Sequence, residues 1–155
     1  MLTGASSATA VAAPLVERFP NADVLGLDTS PAMLEKARAA VARARFEKAD
    51  VATWTPDTPV DLLFSNATLH WIPDHATLLP RLMGHLAPGG VLAVQVPDNL
   101  DEPRPARRRA VAAEAPCGDR LRDAAAARAA LLPFEALHDA LAPNAAHVEI
   151  WRTTY

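Results

Sequence analysis

The apolar positions of this chain fall into short runs that end at polar residues, separated by stretches with a helical period. Val24–Leu27 is the first such run, closed by Asp28. Its uninterrupted apolar character predicts a strand buried on both faces. Ser30-Pro31 follows, an N-cap residue and a proline suited to the first helical position. Met33, Leu34, Ala37 and Val41 then share one helical face. Arg45–Ala49, ending at Asp50, reads as a second strand, and Val60–Ser65 as a third, buried and parallel. Asp74 can cap a helix whose apolar face is Leu78, Leu79, Leu82, Met83 and Leu86, with Pro80 implying a kink or a later start. Ala87–Gly90 ("APGG") stops that helix, and Val91–Val96 is the fourth strand. Strand, helix, strand, strand, helix, strand predicts an α/β protein with a mainly parallel sheet.

Beyond Pro97 the chain turns polar and proline-interrupted, then helix-prone, with helices expected over Asp119–Arg128 and Phe134–Leu141. His147–Tyr155 reads as a closing strand from its β-branched and aromatic content, although its alternation is imperfect. A length of 155 residues, half of them hydrophobic, suits one domain. We divide it into an α/β half, 1–97, and a helical region with the closing strand, 98–155.

Composition narrows the partners. A formal charge of −3 gives no electrostatic case for nucleic acid. No apolar run reaches the roughly 18 residues of a membrane span. The Ala-rich start has neither a basic n-region nor a sustained apolar core, so it does not read as a signal peptide. One cysteine, Cys117, allows no internal disulfide and no multi-Cys metal site, and fits a cytoplasmic home.

The chemistry-bearing residues cluster at strand ends, where open α/β sheets bind ligands. Asp28 can accept two hydrogen bonds from the neighbouring hydroxyls of a ribose, or it can simply cap the next helix; alone, the two readings weigh equally. Asp50 could read an adenine edge together with an adjacent backbone N–H, but by itself reads as a solvated loop acid. Asn66 and Ala67 follow the third strand. Next to them, His70 could act as acid or base, and Trp71 could wall a cleft; the bland readings are a structural histidine and ordinary packing. A metal would need His70, His75 and a third ligand that the sequence does not offer, so no metal is expected. Arg104, Arg107, Arg108 and Arg109 read as a solvated helix face. Arg152, on the expected closing strand, could face an anionic substrate.

Together these segments resemble the class I S-adenosylmethionine-dependent methyltransferases, and more closely the trans-aconitate 2-methyltransferase family. The resemblance rests on "LVERFPNADVLGLDTSPAMLEKARA", "RFEKADVATW", "DLLFSNATLHWIPDH", "LLPRLMGHLAPGGVLAVQVPDNLDEP" and "IWRTTY", covering most of Leu15–Pro103 and the extreme C-terminus. "APGGVLAVQVPDN" and "NATLHWIPDH" are its most specific parts. It implies a Rossmann-like sheet with S-adenosylmethionine as cofactor. Asp28 would hold the cofactor's ribose, Asp50 and Val51 would border adenine, and Asn66 and Ala67 would lie along the methionine. His70, Trp71 and Arg152 would be on the substrate side. The implied reaction is methyl transfer to a carboxylate of a small polycarboxylic acid, with no catalytic side chain assigned. A carboxylic acid with a pKa near ~4 is already ionised at pH 7, so no general base is needed.

Two departures from the family pattern set further expectations. The family opens with an apolar strand and an Asp-x-Gly-x-Gly loop. Here only Gly4 remains of the glycines and only Met1 and Leu2 of the strand. In the family's strand order that strand is central, so the strands ending at Asp28 and near Asn66 should lack their shared partner. The family also continues past the point matching Tyr155, so its last strands should be missing. The sequence thus reads as an internal piece of a methyltransferase. The alternative function is a non-catalytic remnant without the glycine-rich cofactor loop. A nicotinamide-binding domain is disfavoured because no G-x-G-x-x-G precedes Asp28.

Overall fold

A computed structural model describes residues 8–99, 102–103, 106–107, 110–111 and 131–154. Gly4, Cys117, Arg104, Arg108, Arg109 and the helix expected over Asp119–Arg128 lie outside those residues. The first described element is α1 (Ala8–Arg18), a helix in the Ala-rich segment for which the sequence pattern predicts no element. β1 (Leu25–Asp28), α2 (Pro31–Ala40), β2 (Arg45–Lys48) and β3 (Val60–Asn66) follow, close to their expected positions. A 3-10 turn over Leu69–Trp71 leads to α3 (His75–Met83), β4 (Leu86–Gln95) and α4 (Phe134–Leu141).

The strands form two parallel pairs, β1 with β2 and β3 with β4. Parallel pairing agrees with the expected sheet. Among the described residues no strand joins β1 to β3, so each keeps one edge without a strand partner. The pairs are held by two apolar clusters instead. Ala12, Val16, Val24, Leu34, Ala37, Val41 and Phe46 bring α1 and α2 onto one face of the first pair. On the other side, Leu27 of β1 meets Leu63 of β3 and Leu78, Leu79 and Leu82 of α3, with Leu137 and Leu141 of α4 at the margin. β1 is therefore covered on both faces, which is why its sequence is continuously apolar. Full burial of a side chain such as Leu34 stabilises the fold by about 1.5–3 kcal/mol.

Ser30 is the N-cap of α2 and Pro31 opens the helix, as expected; the Ser30 side chain makes no capping bond, and the turn is closed by Asp28. Two expectations need correction. The helix ending before "APGG" stops at Met83, and Leu86 belongs to β4 rather than to the helical face. Residues 87–90 form a wide bulge. Val60 stands opposite Leu86 and Leu62 opposite Val91, so four residues of β4 face Asp61 alone. Gly89 supplies the positive φ of 79° that the bulge requires. Finally, residues 147–154 are not in a strand. An extended segment becomes a strand only by pairing, and here it lies beside α4 without ladder bonds among the described residues.

α3 runs through Pro80, and Asp74 caps it as expected, its side chain accepting from the Thr77 N–H at 3.2 Å. No helix among the described residues is long and apolar enough to cross a membrane.

Candidate functional site

β1 delivers the Asp28 carboxylate to its own carboxyl end, where the chain turns into α2. Oδ1 accepts the Ser30 N–H at 2.8 Å. The residue is only 6 % exposed, and Oδ2 is buried without a hydrogen-bond partner among the described residues. A buried carboxylate oxygen left unsatisfied is costly, so native proteins rarely keep one without a use. One oxygen of Asp28 closes the turn into α2, as the capping reading expects, and the other has no partner among the described residues.

β2 runs beside β1 in register, with Asp28 opposite Lys48, and the Ala49 N–H donates to the Asp28 carbonyl at 3.2 Å. Asp50 thus reaches the same edge. It organises the loop that follows. Its Oδ1 accepts the Ala52 N–H at 2.9 Å, and its carbonyl accepts the N–H groups of Thr53 and Trp54 at 3.0 and 2.8 Å. The Val51 N–H stays outside that set of donors.

The second sheet carries Asn66 and Ala67 at the carboxyl end of β3. Ala67 donates its N–H to the Gln95 carbonyl at 2.8 Å and adopts a left-handed φ of 50°. Such a conformation costs an L-residue roughly 1–2 kcal/mol. Thr68 Oγ1 donates to the Asn66 carbonyl at 3.1 Å, tightening the same turn. His70 is buried, its ring 4.7 Å from that of Trp71, which is 52 % exposed. An apolar ring facing solvent beside a buried imidazole can wall a ligand cleft.

Arg152 stands apart from His70 and Trp71 in its contacts. It pairs with Asp98 and lies over the Phe134 ring at 5.6 Å. Among the described residues no group of three or more His, Cys, Asp and Glu could hold a metal ion. His75, weighed in the sequence only as a metal ligand, instead bonds through Nε2 to the Leu69 carbonyl at 2.8 Å and buttresses the 69–71 turn.

Sequence reasoning missed one residue here. Arg81, in the last turn of α3, donates from Nη1 to the Trp54 carbonyl at 2.8 Å and from Nη2 to the Val51 carbonyl. His85 Nε2 lies 3.3 Å from the same guanidinium, and its ring meets Trp54 edge-on. Burial and the Arg81 charge together push the His85 pKa down. The partners of Arg81 are 27 and 30 residues distant, so no local pattern announces them.

A family model described as a methyltransferase domain matches residues 3–92, more than half of the chain. The chain is 57 % identical over 143 residues to a trans-aconitate 2-methyltransferase of Methylobacterium radiotolerans, and 52 % identical over 142 residues to that of Variovorax paradoxus. Each alignment covers 91 % of this chain and 55 % of the relative, so the chain spans about half the length of the curated relatives it matches. Among solved structures, a SAM-bound amino pentose methyltransferase from Micromonospora echinaspora is 28 % identical, with a TM-score of 0.51 over 60 % of this chain and 40 % of its own. A plantazolicin methyltransferase in complex with SAH is 16 % identical and shares the fold, with a TM-score of 0.65 over 92 % of this chain and 55 % of its own. Strand-end acids on parallel strands, the matched domain and the shared fold agree: the chain belongs to the methyltransferase-domain family.

Proposed function

We propose that this chain forms the cofactor-gripping part of an S-adenosylmethionine-dependent O-methyltransferase acting on a carboxylate of a small polycarboxylic acid of the trans-aconitate type. The observation that carries the proposal is the buried Oδ2 of Asp28 at the carboxyl end of β1, without a partner among the described residues. It is an anionic acceptor of the kind that suits a ribose diol. The similarity to trans-aconitate 2-methyltransferases supports the substrate class.

When bound, the cofactor supplies an electrophilic methyl group on a sulfonium. The chain's own residues have simpler tasks. Asp28 Oδ2 accepts from the ribose hydroxyls while Oδ1 keeps its bond to Ser30. Asp50 and the Val51 N–H border the adenine, and Asn66 and Ala67 lie along the methionine. His70 and Trp71 border the acceptor and exclude water. The acceptor carboxylate is ionised at neutral pH, so His70 positions rather than takes a proton. Rate then comes from alignment and from a dry site. Arg152 would exchange Asp98 for one of the substrate's remaining carboxylates.

Calorimetric titration with S-adenosylhomocysteine tests this reading. The wild type should give heat of binding, and Asp28→Ala should weaken binding by roughly 2 kcal/mol or more, because bonds to a charged acceptor are lost. Absence of heat with the wild type, or equal affinity in the variant, would overturn it. The alternative, a methyltransferase-like domain without turnover, draws on the separate pairing of β1–β2 and β3–β4. The same titration decides between them at the binding step.

A further inference from the structure

The loop that follows β2 is fixed from two directions at one peptide group. The plane between Val51 and Ala52 presents its N–H to Asp50 Oδ1 at 2.9 Å and its carbonyl to Arg81 Nη2. A peptide unit is rigid and planar, so its two ends cannot turn independently. Arg81 also holds the Trp54 carbonyl at 2.8 Å, at the far end of the same loop. Its guanidinium therefore bridges two carbonyls, while Asp50 takes the N–H groups on the inner side of the turn. Trp54, Val51 and Ala49 seat the loop on the apolar cluster that includes Leu78 and Leu82 of α3. His85 lies against both the guanidinium and the Trp54 ring.

We infer that Arg81 is a positioning residue for base recognition: by holding the Val51 carbonyl it orients the Val51–Ala52 peptide, and through it the Asp50 carboxylate, toward the adenine. The inference rests on the proposed cofactor reading and deepens it at the base. Without the guanidinium the peptide can tilt, the Ala52 N–H leaves Asp50, and the carboxylate and the Val51 N–H lose their fixed relation. Lysine replaces arginine only in part, because a single ammonium on a flexible stem lacks the planar fork that spans both carbonyls. What is lost is the preference for a 6-amino purine. The grip on the ribose, set at Asp28, is retained.

The test compares S-adenosylhomocysteine with its inosine counterpart, in which a 6-oxo group replaces the 6-amino group, by titration against the full chain. The wild type should prefer the adenine form. Arg81→Met should bind it about tenfold more weakly and lose most of the preference, and Arg81→Lys should fall between. Asp28→Ala should weaken both ligands alike and leave the preference intact. If Arg81→Met is only less heat-stable, with both ligands weakened equally, the role is structural and the inference fails. Wild-type binding without any preference sinks the inference but leaves the Asp28 reading standing; no wild-type binding sinks both. Amide exchange on the wild type needs no variant to fold: the Ala52 N–H should be protected before ligand is added, and rapid exchange there would contradict the clamp.

Discussion

In the proposed reading Asp28 divides its two oxygens between fold and ligand, and that division predicts an unusual mutational result. Asp28→Ala loses the 2.8 Å bond to Ser30 but also removes a buried, half-satisfied carboxylate. The two effects oppose each other, each on the order of 1–3 kcal/mol. The ligand-free variant should therefore unfold at about the same urea concentration as the wild type, while losing the stabilisation that S-adenosylhomocysteine gives. A large drop in the ligand-free midpoint would mean that the acid serves the fold alone. His85 gives a second prediction. Its pKa is lowered in the folded chain by burial and by Arg81. Above about pH 6.5 it is neutral in both states and costs nothing; as pH falls, the unfolded chain takes the proton first, so stability declines until the folded-state pKa is passed. His85→Gln should lose less of its urea midpoint between about pH 7.5 and 5 than the wild type, and equal losses would contradict this. The strand-end position of Asp28 was legible because an apolar run ending in an acid is a local signal. Arg81 was not, because its carbonyl partners come from another element.

At the scale of elements, hydrophobic pattern located α2, β1, β3 and α3 well, and failed where backbone geometry or pairing decided. "APGG" reads as a helix stop, yet the helix has already ended and the four residues form a bulge in β4. Gly90 explains why this composition is needed: a Cβ there would lie 2.9 Å from the Ala87 carbonyl oxygen and 3.1 Å from that of Val60. Both neighbours are backbone and cannot swing aside. Gly90→Ala should destabilise the chain by about 1–3 kcal/mol, measured by urea unfolding, through overpacking at the bulge. A change below a few tenths of a kcal/mol would show that the bulge relaxes freely. Residues 147–154 failed for a different reason. β propensity describes a side chain's fit to a pleated surface, and it makes no strand without a neighbour to pair with.

At the scale of the molecule, the two parallel pairs among the described residues share one apolar cluster without sharing a described strand. Leu27 and Leu63 meet in that cluster, each just upstream of its strand-end polar residue, Asp28 and Asn66. The expected separation of β1 from β3 was legible only through resemblance, since periodicity says nothing of strand order. Because that cluster joins the pairs, Leu82→Ala should cost about 2–5 kcal/mol and lower S-adenosylhomocysteine affinity as well, by loosening one pair against the other. Loss of stability with unchanged affinity would place the whole binding surface on one pair. All of this rests on where the ribose goes, and a crystal structure of the chain with S-adenosylhomocysteine answers that directly. Both ribose hydroxyls should lie within hydrogen-bond distance of the Asp28 carboxylate, about 2.5–3.0 Å, with Oδ2 as the principal acceptor. A ribose bound elsewhere, with Asp28 engaged only by Ser30, would contradict the assignment.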